Sequence, residues 1–271
     1  MVTTLGVASV LNLMILFTIG SFAPVTPPVN ANSFQMAEPY EGTVYAVTAA
    51  NNLISFNIIT PGAIIRTLPI SGLPQGETIV SIDFRPRTGQ LYGLGSASRI
   101  YTINISTGAA TAVGSSAFNP ALSGTNFDID FNPTVDRIRL VSDAEQNLRL
   151  HPDTGAVVGT DTNLTYQTGD PNANADPNIV SAAYTSNFNA ATSTTLFAID
   201  SNLDVLVRQG SAGGAPTSPN TGQLVTIGAL GVNTTEQAGF DISAPGDVAL
   251  ASLTTQGATN SGLYSINLTT G

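Results

Sequence analysis

The residues whose types and spacing are best suited to chemistry are Asp128, Asp130, Asn132 and Asp136. On an extended strand, alternate residues share a face, so the first three project oxygen donors to one side. Oxygen-only donors at this spacing suit Ca²⁺, and no other cofactor is expected. The competing reading is structural: Asp130 and Asp136 tie down the Asn132-Pro133 turn, or pair with Arg137 and Arg139. Asp83 occupies the place of Asp130 in a neighbouring stretch of sequence, and Asp241 that of Asp128. That recurrence favours a role repeated along the chain. Paired carboxylates run glycosidase chemistry when burial raises one of them, but no pair stands out here, and no catalytic residue is expected. Arg137, Arg139 and Arg149 form a small basic group that either grips an anion or pairs with nearby aspartates.

Composition removes other chemistries. The chain of 271 residues has no cysteine and one histidine, His151, in the turn-like run His151-Pro152-Asp153-Thr154-Gly155. Thiol catalysis and cysteine zinc sites are therefore excluded, and a catalytic triad would rest on one turn residue. The basic residues are all arginines and the net charge is −10, so nucleic acid is not an expected partner.

The elements that must position these side chains are strands. Beyond Tyr40, short apolar-polar runs alternate with Gly, Pro, Asn and Asp turns, with no helical period. A unit of roughly fifty residues recurs, the period of propeller blades. Its clearest copies open with Val80-Ser-Ile-Asp-Phe-Arg-Pro86 and Phe127-Asp-Ile-Asp-Phe-Asn-Pro133, and later copies begin near Ile179 and Gly239. Each unit reads as four strands in meander order, which must pack against like units to bury both faces. The expected fold is all-β, a propeller of five four-stranded blades. The first blade lacks its first strand and the last lacks its fourth, so the ring is expected to be incomplete at the C-terminus.

Two regions follow: residues 1–37, an apolar segment with a Pro-rich spacer, and residues 38–271, the propeller. Leu5 to Ala23 carry no charge, which fits a secretory signal cut after Ala23 or Ala31, or a membrane anchor if uncleaved. The expected location is extracellular or at the cell surface. Within this segment the apolar run Val10 to Thr18 is the expected donor strand, with Val10, Leu11, Leu13, Ile15 and Phe17 the candidate assembly residues.

The runs Phe127 to Ser142, Asn147 to Val157 and Gly262 to Gly271, with Ala182 to Thr185 and Thr194 to Asp200, resemble an exported bacterial family, domain of unknown function 4394. The resemblance implies a propeller-like repeat protein of unassigned activity and supplies no catalytic residues. It also implies that family members continue through the strands absent here. The function expected is non-enzymatic: surface structure, adhesion or assembly, with a homo-oligomer or filament built by N-terminal strand donation. Two alternatives stand beside it. One is a calcium-assisted hydrolase of lactonase type using Asp83, Asp128, Asp130 and Asp241; the other is a monomeric secreted binding module with a truncated gene model.

Overall fold

The computed structural model describes residues 3–4, 16–19, 42–244 and 246–271. They form five sheets set as the blades of a propeller. Blade 1 contains β2 (Leu16–Ile19), β3 (Gly42–Val47), β4 (Asn52–Asn57) and β5 (Ile64–Pro69). Blade 2 contains β6 (Ile79–Arg85), β7 (Gln90–Gly95), β8 (Arg99–Ile103) and β9 (Ala110–Val113). Blade 3 runs through β10 (Phe127–Asn132), β11 (Arg137–Ser142), β12 (Asn147–Leu150) and β13 (Val157–Thr160). Blade 4 adds a short parallel strand, β14 (Thr165–Tyr166), outside β18 (Gln223–Ala229), beyond β15 (Ile179–Tyr184), β16 (Leu196–Asp200) and β17 (Val205–Gln209). Blade 5 is β19 (Thr234–Ser243), β20 (Val248–Thr255) and β21 (Gly262–Ser265), with β1 (Thr3–Thr4) on its outer edge.

The two places expected to lack a strand are thus filled from the leading segment. β2 pairs antiparallel with β3, setting Phe17 opposite Val44, and β1 pairs with β21 through Thr3 and Leu263. Of the five candidate assembly residues, Phe17 lies in β2, whereas Val10, Leu11, Leu13 and Ile15 lie outside the described residues. The inner strands follow one another as β2, β6, β10, β15 and β19, and β19 returns to β2.

Period-two patterning explains the packing. Along β10, Ile129 and Phe131 face blade 2, where Phe131 meets Tyr92 edge-on at 5.0 Å between ring centres. Their neighbours Asp128 and Asp130 face blade 4. Each blade interface encloses its own apolar cluster. Val47, Leu53, Ile82 and Phe84 join blades 1 and 2, Phe240, Ile242, Ala183 and Ile199 join 4 and 5, and Val44, Phe56, Leu250 and Leu263 join 5 and 1. No one sheet could bury these residues alone, so the fold is cooperative around the ring.

The rim is held by turns that repeat with the blades. Gly108 and Gly155 end the Ser106-Thr-Gly and Asp153-Thr-Gly turns at φ +76° and +68°, a left-handed backbone that favours glycine. Each turn seats on the outer strand of the preceding blade, Gly108 against Pro69 and Gly155 against Val113. A Cβ on residue 155 would stand 2.7 Å from the Val113 carbonyl oxygen. Gly155→Ala is therefore expected to lower stability by about 1–3 kcal/mol, read as a lower urea midpoint with an unchanged slope.

Candidate functional site

Blades meet the axis edge-on, so the inner strand of each sheet has an edge with no strand to pair. Its amides must be satisfied in another way. Side chains of the preceding blade meet this need. Asp83 Oδ2 accepts from the Phe131 amide at 2.6 Å, and Asp130 Oδ1, its counterpart one blade on, accepts from the Tyr184 amide at 3.0 Å. A second rung lies two residues earlier. There Ser81 Oγ accepts from the Ile129 amide at 2.9 Å and donates to Asp128 Oδ1 at 2.9 Å, while Asp128 Oδ2 accepts from Ala182 at 2.8 Å. Asp241 Oδ1 accepts from the Ile242 amide at 2.7 Å.

The carboxylates that perform this task are almost completely buried: Asp83, Asp130 and Asp241 each retain 2% exposure and Asp128 1%. Asp83, Asp130 and Asp241 also bring one oxygen each within 4.8 Å of one another, from three different blades. Burial raises Asp83 well above the ordinary carboxylate range and the charge of Asp241 adds to it, against the amide bond from Phe131. Asp130 is raised by burial and then by Asp83 and Asp241. Asp128 is raised by burial, opposed mainly by the Ala182 amide. Such a cluster has two stable conditions: shared protons, or a cation among the oxygens.

The four residues expected to form a calcium set are divided by the structure. Asp128 and Asp130 lie at the axis, but both oxygens of Asp128 are already bonded. Asn132 Oδ1 accepts from the Thr134 amide and hydroxyl, and so shapes the β10–β11 turn. Asp136 lies at the far end of that turn and binds Arg85 and Arg87 of blade 2. It has φ +52°, in the left-handed position that Gly89 fills in the matching turn of blade 2. A residue that strains the turn is placed where its carboxylate meets a guanidinium across the blade interface.

The arginines are likewise engaged. Arg85 also reaches Asp153, and Arg137 donates to the Val135 and Asp136 carbonyls rather than to a carboxylate. Arg139 and Arg149 converge on Asp161, and Arg139 extends to Asn147, to Asn220 of blade 4 and to the Tyr184 hydroxyl. Arg137, Arg139 and Arg149 line a cleft of about 430 Å³ between blades 3 and 4. Burial pulls Asp161 upward, but the hydrogen bonds from Arg149 and Arg139 prevail and leave it below the usual range. Neither Asp161 nor Asp153 stood out in the sequence, since each lies outside the repeated strand pattern. His151 accepts the Asp153 amide through Nδ1 within its turn.

Comparison with known proteins supports the architecture. A family described as domain of unknown function (DUF4394) matches residues 52–271. No curated protein matches the chain. The crystal structure of Myxococcus xanthus glutaminyl cyclase aligns with a TM-score of 0.51 at 12% identity, over 84% of this chain and 86% of that one. A Bacteroides thetaiotaomicron protein of unknown function aligns at 0.51 and 11% identity, over 83% of this chain and 56% of its own length. At these identities the likeness is one of fold.

The rim pair Arg85–Asp136 carries a pH signature. The Arg85 hydrogen bond holds Asp136 below the ordinary carboxylate value, with burial opposing it. Its contribution is therefore complete above the unfolded value of about 3.9 and disappears as pH falls through the lower native one. Asp136→Asn, which tolerates the left-handed turn, is expected to lower stability by about 1–3 kcal/mol at pH 7. The difference from the wild type should close near pH 2 when both are followed by denaturant unfolding.

Proposed function

The chain belongs to the DUF4394 family, and from that premise we propose that it is a non-enzymatic assembly protein of the cell surface that polymerises by donating its N-terminal strands. The observation that carries this reading is the position of β1 and β2. They enter two different blades, the outer edge of blade 5 and the inner edge of blade 1, and so join the two ends of the ring. β2 and β3 are antiparallel neighbours, for which a hairpin needs about two to five connecting residues. Residues 20–41 connect them instead. Fully extended, such a connection reaches roughly 70 Å, beyond the roughly 50 Å breadth expected for a domain of this size. The pairings made within one chain are therefore within reach of the segment of a second copy, and head-to-tail repetition of that exchange gives an open fibre.

Two further features support this reading. The charge-free run from Leu5 to Ala23 suits both export and a dry strand interface. The axial carboxylates are bonded to backbone amides and buried, which denies a substrate access to them and weighs against the hydrolase alternative. Among the described residues no helix is long and apolar enough to cross a membrane.

The test is the native assembly state together with the mature N-terminus. Material isolated from the producing cell is expected to retain residues 5–23 and to show fibres by negative-stain microscopy. Deleting residues 5–23 should abolish the fibres. A mature chain beginning after Ala23 or Ala31 would refute strand donation, and an intact chain that stays monomeric at high concentration would show that the segment closes only its own ring.

A further inference from the structure

We infer that the axis of the propeller is a calcium site, with one Ca²⁺ held by Asp83 of blade 2, Asp130 of blade 3 and Asp241 of blade 5. Proximity of acids alone would not establish it; the charge balance of the whole molecule is the stronger argument. The chain has no lysine and eight arginines, and every arginine is engaged away from the axis. Arg85 and Arg87 hold Asp136, Arg99 holds Glu77, and Arg139 and Arg149 hold Asp161. Arg66, Arg137 and Arg208 donate to the carbonyls of Ser106, Asp136 and Gly210. His151 is in a rim turn. No arginine is left to balance Asp83 and Asp130, each 2% exposed, and a buried charge without a counter-charge is among the most unfavourable arrangements a fold can hold.

Orphaned oxygens point to the same ligand. Asp83 gives Oδ2 to the Phe131 amide, while its buried Oδ1 makes no full hydrogen bond and has only the attraction of the adjacent Phe84 amide. The Ser181 hydroxyl is wholly buried and also without a partner. Ala182 and Tyr184 face blade 3, so by alternation Ser181 and Ala183 turn towards β19, the strand that carries Asp241. Ser181 is therefore an independent oxygen donor on the axial side of the intervening blade. On the next rung blade 4 has Ala183, where blades 2 and 3 have Asp83 and Asp130.

The size of the group admits calcium. Ligand oxygens around Ca²⁺ lie at about 2.3–2.6 Å, so opposed ligands are separated by up to about 5 Å; the shorter Mg²⁺ bonds limit this to about 4 Å. Carboxylate oxygens that all lie within 4.8 Å of one another are close enough for one Ca²⁺ to bridge. The ion would connect blades 2 and 3 to blade 5 across the seam that β2 closes. Its binding does not depend on which copy supplies that strand, so this inference and the assembly reading can fail separately.

The experiment uses the full chain stripped with EDTA and dialysed against CaCl₂ at pH 7.5, with bound metal counted by mass spectrometry and unfolding followed by circular dichroism. The expected result is one calcium per chain and a Tm roughly 5–10 °C higher in calcium than in EDTA, with a smaller shift in MgCl₂. Asp83→Asn and Asp130→Asn retain an oxygen for the neighbouring amide and should fold, yet bind no calcium and show no shift; Asp136→Asn, at the rim, should bind as the wild type does. If one axial variant fails to fold, the other and the wild-type stoichiometry still decide. A folded wild type with no bound calcium and one Tm in both buffers would overturn the inference in favour of shared protons. Unchanged calcium binding in both folded axial variants would overturn it as well.

Discussion

Five sheets cannot converge on an axis without presenting backbone amides that no strand can pair, and the rest of the molecule is arranged around that constraint. A lone buried amide forfeits a hydrogen bond, so a side chain must come from the blade alongside. Serine and aspartate are short enough to do it from the strand next door, as Ser81, Asp83, Asp128 and Asp130 do. The blades are thereby held in angular register by the same bonds that satisfy the amides. Apolar clusters between the blades supply most of the driving force, while the axial bonds specify how each blade follows the last.

That solution concentrates acids where the dielectric is lowest. A ring of serines would satisfy amides without charge, and Ser81 shows that the geometry allows it. Aspartates instead at 83, 130 and 241 create a centre that needs protons or a cation. The rim solves its own electrostatics with arginine, most clearly where Arg85 of one blade takes Asp136 and Asp153 of the next. Charged groups in this protein thus act mainly between blades, at the axis through the amides of the next blade and at the rim through arginine.

The repeat made the blades legible in the sequence because Ser or Asp alternating with Ile or Phe is both a strand pattern and an inner-strand pattern. Aligning Asp83 with Asp130 and Asp241 with Asp128 placed all four on inner strands. What alignment could not show is which oxygens are already taken. Asp128 is saturated by Ser81, Ile129 and Ala182, and so drops out of a cluster that Asp241 enters. Partner choice was equally hidden: Asp136 is adjacent to Arg137 in sequence but binds Arg85, because the ring brings the end of one inner strand against the next blade's first turn. Asp161 follows β13, outside any repeated strand, and only the folded interface reveals it as the anchor of Arg139 and Arg149.

The central claim is that charge buried at the axis is balanced by an ion. A crystal structure of the full chain grown in calcium, with anomalous differences collected on the same crystals, tests it most directly. The account predicts a single anomalous peak on the axis about 2.3–2.6 Å from oxygens of Asp83, Asp130 and Asp241. A featureless axis, with those carboxyl groups joined to one another by short hydrogen bonds, would contradict it.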